Sequence, residues 1–302
     1  MRESFSNALV KSARNNPKVL LLTGDHGYAL FDDFRRHCPK QYINAGVAEQ
    51  NMVGMAAGLA RAGFKPIVYG LSAFIPVRVL EQIKIDVCHD DLPVIFIGDG
   101  AGFVYSQLGT SHQSTEDIAC TRSIPGLTIL SPADRFEMTA CMEMASRLNR
   151  PVYLRMGKSD LGDIHQEVPG FEPGELLQIK PGSGLLAFLA TGSMVRTAID
   201  AAANYPDASV WSIPSIKPID SRQVAEICRK ADSLIVMEEH SILGGLAAAI
   251  AEIASEHAPV KICRIGVNDR FSEHCGTYAY LLKEHQLDVV SVRRKIDTFL
   301  NV

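Results

Sequence analysis

A chain of 302 residues with 30 Lys and Arg against 34 Asp and Glu carries a formal net charge of −4 at pH 7. That balance leaves no basic excess for nucleic acid or an anionic membrane, and neither is expected as a partner. The length, with a hydrophobic content of 47%, is expected to fill two domains of about 100–200 residues each.

The N-terminal stretch MRESFSNALVKSARNNP (1–17) has no continuous apolar run, and no later segment approaches the roughly 18 apolar residues of a membrane span. KVLLLTGD (18–25), KPIVYGL (65–71), LPVIFIGD (92–99), LTILSPA (127–133) and PVYLRMG (151–157) read as strands, with helical apolar spacing over 78–90 and 134–148. Continuous apolar strands alternating with helices predict an α/β fold with a parallel sheet covered on both faces. The Gly- and Pro-rich stretch 157–184 has no clean period and marks a boundary. It divides a first domain (1–160) from a linker (161–183) and a smaller α/β domain (184–302) with predicted strands at 184–193, 208–216, 233–240 and 259–266. The seven cysteines are scattered and contain no C-x-x-C pair, so they read as reduced core thiols of a cytoplasmic protein.

Within the first domain, INAGVAEQNMVGMAAGLARAG (43–63) predicts a strand end, a tight turn and a helix of small and apolar residues. Gly54, Ala56, Ala57, Gly58 and Ala60 leave little room for a polar face, and two glycines four apart suggest another backbone passing close. The helix is therefore expected to be buried on more than one side. Glu49 sits in its first turn. Burial would favour the neutral acid there, whereas an ordinary first-turn glutamate would simply complement the helix dipole.

The segments 43–74, 108–134, 151–155, 238–253 and 266–282 together resemble thiamine diphosphate enzymes of the transketolase family. That family includes 1-deoxyxylulose-5-phosphate synthase and the β subunits of 2-oxoacid dehydrogenases. The resemblance implies a pyrimidine-binding domain followed by the family's C-terminal domain. It also assigns roles: Glu49 holds N1′ of the cofactor aminopyrimidine, Phe74 stacks on that ring, and His112 handles protons on the substrate. Asp25, His26, His112 and Gln113 would contact substrate, the turn reading for Asp25 and His26 being a helix cap.

The family's metal motif is GDG followed by a downstream asparagine. Here GDG (98–100) is followed by no asparagine before Asn149, so this chain has no metal ligands of that type. The resemblance thus implies one subunit of a split enzyme. Mg²⁺ and the diphosphate would be held by an N-terminal diphosphate-binding partner in an α2β2 arrangement, acting on a sugar or sugar phosphate by two-carbon ketol transfer. Alternatives are a 2-oxoacid dehydrogenase β subunit, a deoxyxylulose phosphate synthase-like enzyme, or a non-catalytic assembly subunit. Leu108 and Ser131 replace an aspartate and an arginine that similar enzymes use on the sugar, which predicts relaxed phosphate preference unless Arg78, Arg155 or the partner holds that group.

Overall fold

A computed structural model of the chain describes residues 1–158 and 160–301. Helix α1 (Arg2–Asn15) leads into β1 (Val19–Thr23), α2 (Asp32–His37), β2 (Tyr42–Asn44), α3 (Glu49–Arg61) and β3 (Lys65–Leu71). Next come α4 (Leu80–Gln82), a π-helical continuation over Ile83–Cys88, β4 (Ile95–Asp99), α5 (Asp117–Arg122), β5 (Thr128–Leu130), α6 (Arg135–Arg147) and β6 (Val152–Met156). Strands β1, β4 and β6 are buried at every residue. They can be apolar throughout because α1, α2 and α6 cover one face of the sheet while α3, the π-turn and α5 cover the other.

The second unit runs through β7 (Leu177–Lys180), β8 (Leu186–Ala190), α7 (Met194–Ala202), β9 (Ser209–Ser212), β10 (Ser215–Lys217) and α8 (Ser221–Lys230). It continues with β11 (Ser233–Ser241), α9 (Leu246–His257), β12 (Lys261–Val267), α10 (Tyr278–Glu284) and α11 (Val289–Leu300). The two sheets have the orders β10-β5-β6-β4-β3-β1-β2 and β12-β11-β8-β9-β7. Only the edge strands β10 and β7 are antiparallel to their neighbours. No helix among the described residues is long and apolar enough to cross a membrane.

Three features differ from the sequence expectation. The run 208–216, read as one strand, divides at Pro214, which has no N–H for a continuing ladder. Its second half, β10, leaves the second unit and pairs with β5 of the first sheet, Ser215 opposite Leu130. Within 161–183, Leu177–Lys180 forms an edge strand of the second sheet, so that sheet begins before residue 184. Helix α3 buries Met52, Val53, Ala56, Ala57 and Ala60 but exposes Gln50, Asn51, Gly54 and Gly58. A Cβ placed on Gly54 or Gly58 would meet no atom of the described residues within 4 Å. No backbone among the described residues passes there, and α3 is buried against them on one face only.

Candidate active site

Four neighbouring strands of the first sheet, in the order β4-β3-β1-β2, end on the same side. The segments that follow them carry His112, Phe74, Asp25 with His26, and Glu49 respectively. Carboxyl ends of parallel strands are where open α/β sheets bind ligands. Residues up to 86 positions apart are therefore gathered by topology, since His112 and His26 follow β4 and β1, which flank β3.

Glu49 is placed by a tight turn after β2. The Asn44 side chain accepts from the Gly46 amide at 2.9 Å, and Gly46 adopts φ +71°, a left-handed conformation natural to glycine. The chain then enters α3 with no side-chain cap, leaving Glu49 as the acidic group of the first turn. Glu49 is only 4% exposed. Its Oε2 accepts from the Arg78 guanidinium at 3.0 Å, while its Oε1 is buried without a partner. His26 Nε2, likewise buried and unpartnered, stands 4.0 Å from that bare oxygen.

Phe74 lies in the loop after β3. The amide of Arg78 donates to the Phe74 carbonyl at 3.1 Å, one helical turn on, which brings the guanidinium 4.0 Å above the Phe74 ring. The same ring meets His112 edge-on with centroids 5.4 Å apart and His26 at 6.4 Å. Glu49, His26, Phe74 and His112 thus form one cluster, with Arg78 as a fifth member. From the sequence, Arg78 is a candidate only for holding phosphate. Its spacing of four from Phe74 in a helical turn was the available signal, but its reach to Glu49 depends on tertiary placement.

Behind this cluster, hydrogen bonds tie its two loops together. Ser72, two residues before Phe74, donates to Ser114, two residues after His112, at 2.6 Å. Tyr153 donates to Asp117 at 2.7 Å, and burial pushes its phenol well above the ordinary value, so it remains a neutral donor. Arg155, 2% exposed, pairs with the same Asp117 oxygen at 2.7 Å and donates to the Glu239 carbonyl of the second unit at 2.8 Å. Glu239 in turn accepts from the Phe103 amide at 2.6 Å and from Ser193 and Tyr278. Burial raises the Glu239 carboxyl, opposed by those donors.

Not every sequence candidate joins the cluster. Asp25 is exposed at the rim, with φ +63°, accepting from Asn44 and Tyr28 at 3.3 Å. Gln113 is buried, but its side-chain oxygen meets Ser272 of the second unit at 2.8 Å. Ser131, directly after β5, is 1% exposed and packs against Gly192 between the two units, at the far side of the sheet from β3, β1 and β2. Ser131 is thus an interior residue of this chain. Arg155 is committed to Asp117 and is not free to hold a phosphate. Leu108 stands 56% exposed on its loop. The GDG carboxylate, Asp99, accepts from Arg2 and from the phenols of Tyr69 and Tyr105 at 2.7 and 2.8 Å. Among the described residues no group of three or more His, Cys, Asp or Glu is placed to hold a metal ion.

Comparison with known proteins decides the family. Residues 1–163 match the transketolase pyrimidine binding domain, and residues 175–292 match the transketolase C-terminal domain. The chain belongs to the transketolase family. Among transketolases, it is 33% identical over 283 residues to one subunit of the apulose-4-phosphate transketolase of Phocaeicola vulgatus, covering 92% of this chain and 90% of that protein. A 6-deoxy-6-sulfo-D-fructose transketolase subunit from a Clostridium species is 31% identical over 299 residues, covering 97% and 92%. The 1-deoxy-D-xylulose-5-phosphate synthase of Chlorobium luteolum is 33% identical over 310 residues, but the chain spans only 48% of its length. A solved split-gene transketolase, an inactive β4 tetramer, superposes with a TM-score of 0.91 at 33% identity, covering 99% of this chain and 98% of that one. The chain is thus a subunit of a split transketolase-type transferase, whose reaction is ketol transfer.

Proposed function

We propose that this chain supplies the aminopyrimidine half of a thiamine diphosphate site, while a separate N-terminal subunit supplies Mg²⁺ and the diphosphate half in an α2β2 assembly. The observation that carries this reading is a bare, buried carboxylate oxygen on Glu49, whose other oxygen shares the Arg78 guanidinium with the Phe74 ring, past the carboxyl ends of β2 and β3 of one parallel sheet. A buried acceptor without a partner costs free energy unless something fills it. An aromatic heterocycle with a ring nitrogen fits the two groups together.

Thiamine diphosphate, when bound, supplies the nucleophilic carbon that carries the two-carbon unit. Glu49 holds the proton exchanged at its Oε1, and Phe74 offers the stacking face. His112 and His26 flank the ring as proton donors and acceptors for substrate oxygens. Asp25 and Gln113 contact the substrate from the edge of the cluster. The substrate is a sugar bearing an anionic group, by analogy with relatives named for apulose 4-phosphate and 6-deoxy-6-sulfofructose. The free thiols, six of the seven at least partly buried, suit a cytoplasmic enzyme.

The exposed face of α3, with open space at Gly54 and Gly58, is where a second chain would pack to complete the site. A related subunit forming an inactive β4 tetramer supports the need for a partner. The test is reconstitution. The chain alone is expected to show no ketol transfer with Mg²⁺ and thiamine diphosphate, and the N-terminal subunit is expected to restore it with apulose 4-phosphate, fructose 6-phosphate or 6-deoxy-6-sulfofructose as donor. Turnover by the single chain would refute the divided site.

A further inference from the structure

Of the contacts that the second unit makes with the loop after β4, one reaches a substrate candidate directly. Ser272, in the loop after β12, donates to the Gln113 side-chain oxygen at 2.8 Å and lies 2.9 Å from His285 Nε2. His285 is 3% exposed and stacks on Phe103, ring centroids 4.8 Å apart at an interplanar angle of 22°. Two atoms at the ends of this chain of bonds are buried without partners: Gln113 Nε2 and His285 Nδ1.

A serine hydroxyl has one proton, so the chain of bonds has only two polarities. In one, His285 Nε2–H donates to Ser272, Ser272 donates to Gln113 Oε1, and the glutamine amide is left presenting its NH₂. In the other, Ser272 donates to His285, the amide is reversed, and Gln113 presents its oxygen. The ring is neutral, and its surroundings select the first. Burial lowers the His285 pKa, so the ring carries a single N–H at neutral pH. The Glu284 carboxylate, which also accepts from Arg270 and the Glu273 amide, lies 3.7 Å from His285 Nε2 and favours the proton on that nitrogen. The reverse tautomer would also bury an unpaired Nδ1–H.

We propose that Ser272 and His285 are positioning residues that lock the Gln113 amide with its NH₂ free, so that Gln113 acts as a hydrogen-bond donor to a carbonyl or hydroxyl oxygen of the sugar. This rests on the reading of Gln113 as a substrate contact. It makes the second unit a determinant of substrate recognition through the His285–Ser272–Gln113 chain. It also gives the neighbour of His112 a fixed polarity: donor rather than acceptor.

Two measurements test it. In ¹⁵N-histidine spectra of the full chain, with His285 assigned by comparison with His285→Asn, the Nε2–H tautomer is expected, and the Nδ1–H tautomer would overturn the proposal. In the enzyme reconstituted with its N-terminal subunit, kcat and KM are measured with fructose 6-phosphate as donor for Ser272→Ala, Ser272→Thr, Gln113→Ala and the Ser272→Ala/Gln113→Ala pair. Losing one neutral hydrogen bond predicts about a 3–10-fold fall in kcat/KM for Ser272→Ala, mainly in KM. Ser272→Thr should restore it, and the double variant should be no worse than Gln113→Ala. Impaired Gln113→Ala beside wild-type Ser272→Ala, or strictly additive losses, would overturn the positioning role while leaving Gln113 as a contact. Wild-type kinetics for Gln113→Ala would overturn the underlying contact and the proposal with it.

Discussion

Glu49 and Asp99 are both acids at strand ends of the same sheet, 4% and 2% exposed, and both stand in motifs that invite a catalytic reading. Their surroundings differ. Asp99 is enclosed by one guanidinium and two phenols, with both carboxylate oxygens engaged. Glu49 has one charged partner, and that partner, Arg78, is itself 45% exposed, while its second oxygen is bare. A carboxylate whose bonds are all made inside the chain has no capacity left for a ligand. One that is buried and half-satisfied keeps an unmet cost that a ligand can relieve. The contrast separates an acid that holds the fold from an acid that awaits chemistry, and it can be broken by substitution.

The largest expected effect is on activity. Glu49→Gln keeps the shape and a hydrogen-bonding group but removes the exchangeable acid, so turnover of the reconstituted enzyme should fall toward the upper end of the roughly 10²–10⁴-fold range of positioned acid–base groups. Stability should change little, because the residue's only internal bond is to a half-exposed arginine. Steady-state kinetics and a urea melt of the same preparation check both halves. A variant with full activity, or one that unfolds, would erase the distinction from Asp99.

Asp99→Ala should behave in the opposite way. It leaves the buried Tyr69 hydroxyl without an acceptor, at a cost of about 1–3 kcal/mol. Arg2 is half exposed and relaxes into water, so its share is small. Chemical denaturation should show the loss, while the activity that depends on Glu49 survives in whatever fraction remains folded. An unchanged denaturation midpoint would mean that the enclosure of Asp99 contributes nothing.

How far could this contrast be read before folding? The sheet was legible because β1, β4 and β6 are apolar at nearly every position, and such runs require helices on both faces. Glu49, Phe74 and His112 were legible as separate motifs, and their meeting follows from strand order. Four things were not legible. The departure of β10 from its own unit is a choice between two sheet edges that no local pattern encodes. The burial of Ser131 against Gly192 depends on how the units dock, which the pattern around that residue does not encode. The exposed face of α3 was hidden because glycine carries no side chain by which to declare exposure or contact. The pairing of Arg78 with Glu49 joins the head of α3 to the turn after β3, 29 residues on, and needed coordinates.

The glycines of α3 extend the comparison from a missing ligand to a missing chain. Since a Cβ at Gly58 meets nothing among the described residues, Gly58→Ala should leave the fold intact and add up to about 1 kcal/mol of helix propensity. Gly58→Leu should leave the circular dichroism spectrum unchanged yet overpack the proposed contact with the second chain by about 1–3 kcal/mol. Sedimentation velocity of the two variants, with and without the N-terminal subunit, checks this. Normal assembly of Gly58→Leu would remove α3 from the interface.

Arg78 supplies a smaller effect with an informative sign. Its guanidinium covers the Phe74 ring, the stacking face that an aminopyrimidine would need, and bonds Oε2 of Glu49, which holds that carboxylate in its charged form. An exposed cation–π contact contributes about 0.5–1 kcal/mol and an exposed ion pair about 0.2–1 kcal/mol. Arg78→Ala should therefore tighten thiamine diphosphate binding to the reconstituted enzyme by up to about tenfold in calorimetric titration. Weaker binding would show that the arginine helps to hold the cofactor.

The smallest effect concerns an acid whose enclosure depends on pH. Glu137 is fully buried near the start of α6, with one oxygen accepting from the Ala133 amide at 2.7 Å and the other 2.9 Å from His165 Nε2. Asp134 caps the same helix and takes the amides of Ile164 and His165 at 2.8 Å, fastening the connection between the two units beside it. Burial alone would lower the His165 pKa, but its bond to Glu137 and the nearby carboxylates prevail and raise it. A histidine raised on folding contributes stability that is complete below its ordinary value near 6.5 and is lost as pH rises through the higher folded value. The denaturation midpoint of wild type relative to His165→Gln should therefore be most favourable near pH 6 and decline steadily toward pH 9. Glutamine does not titrate, so the difference isolates the imidazolium. A difference that stays flat across that range would mean that the neutral ring satisfies Glu137 equally well, and that the acid is as permanently enclosed as Asp99.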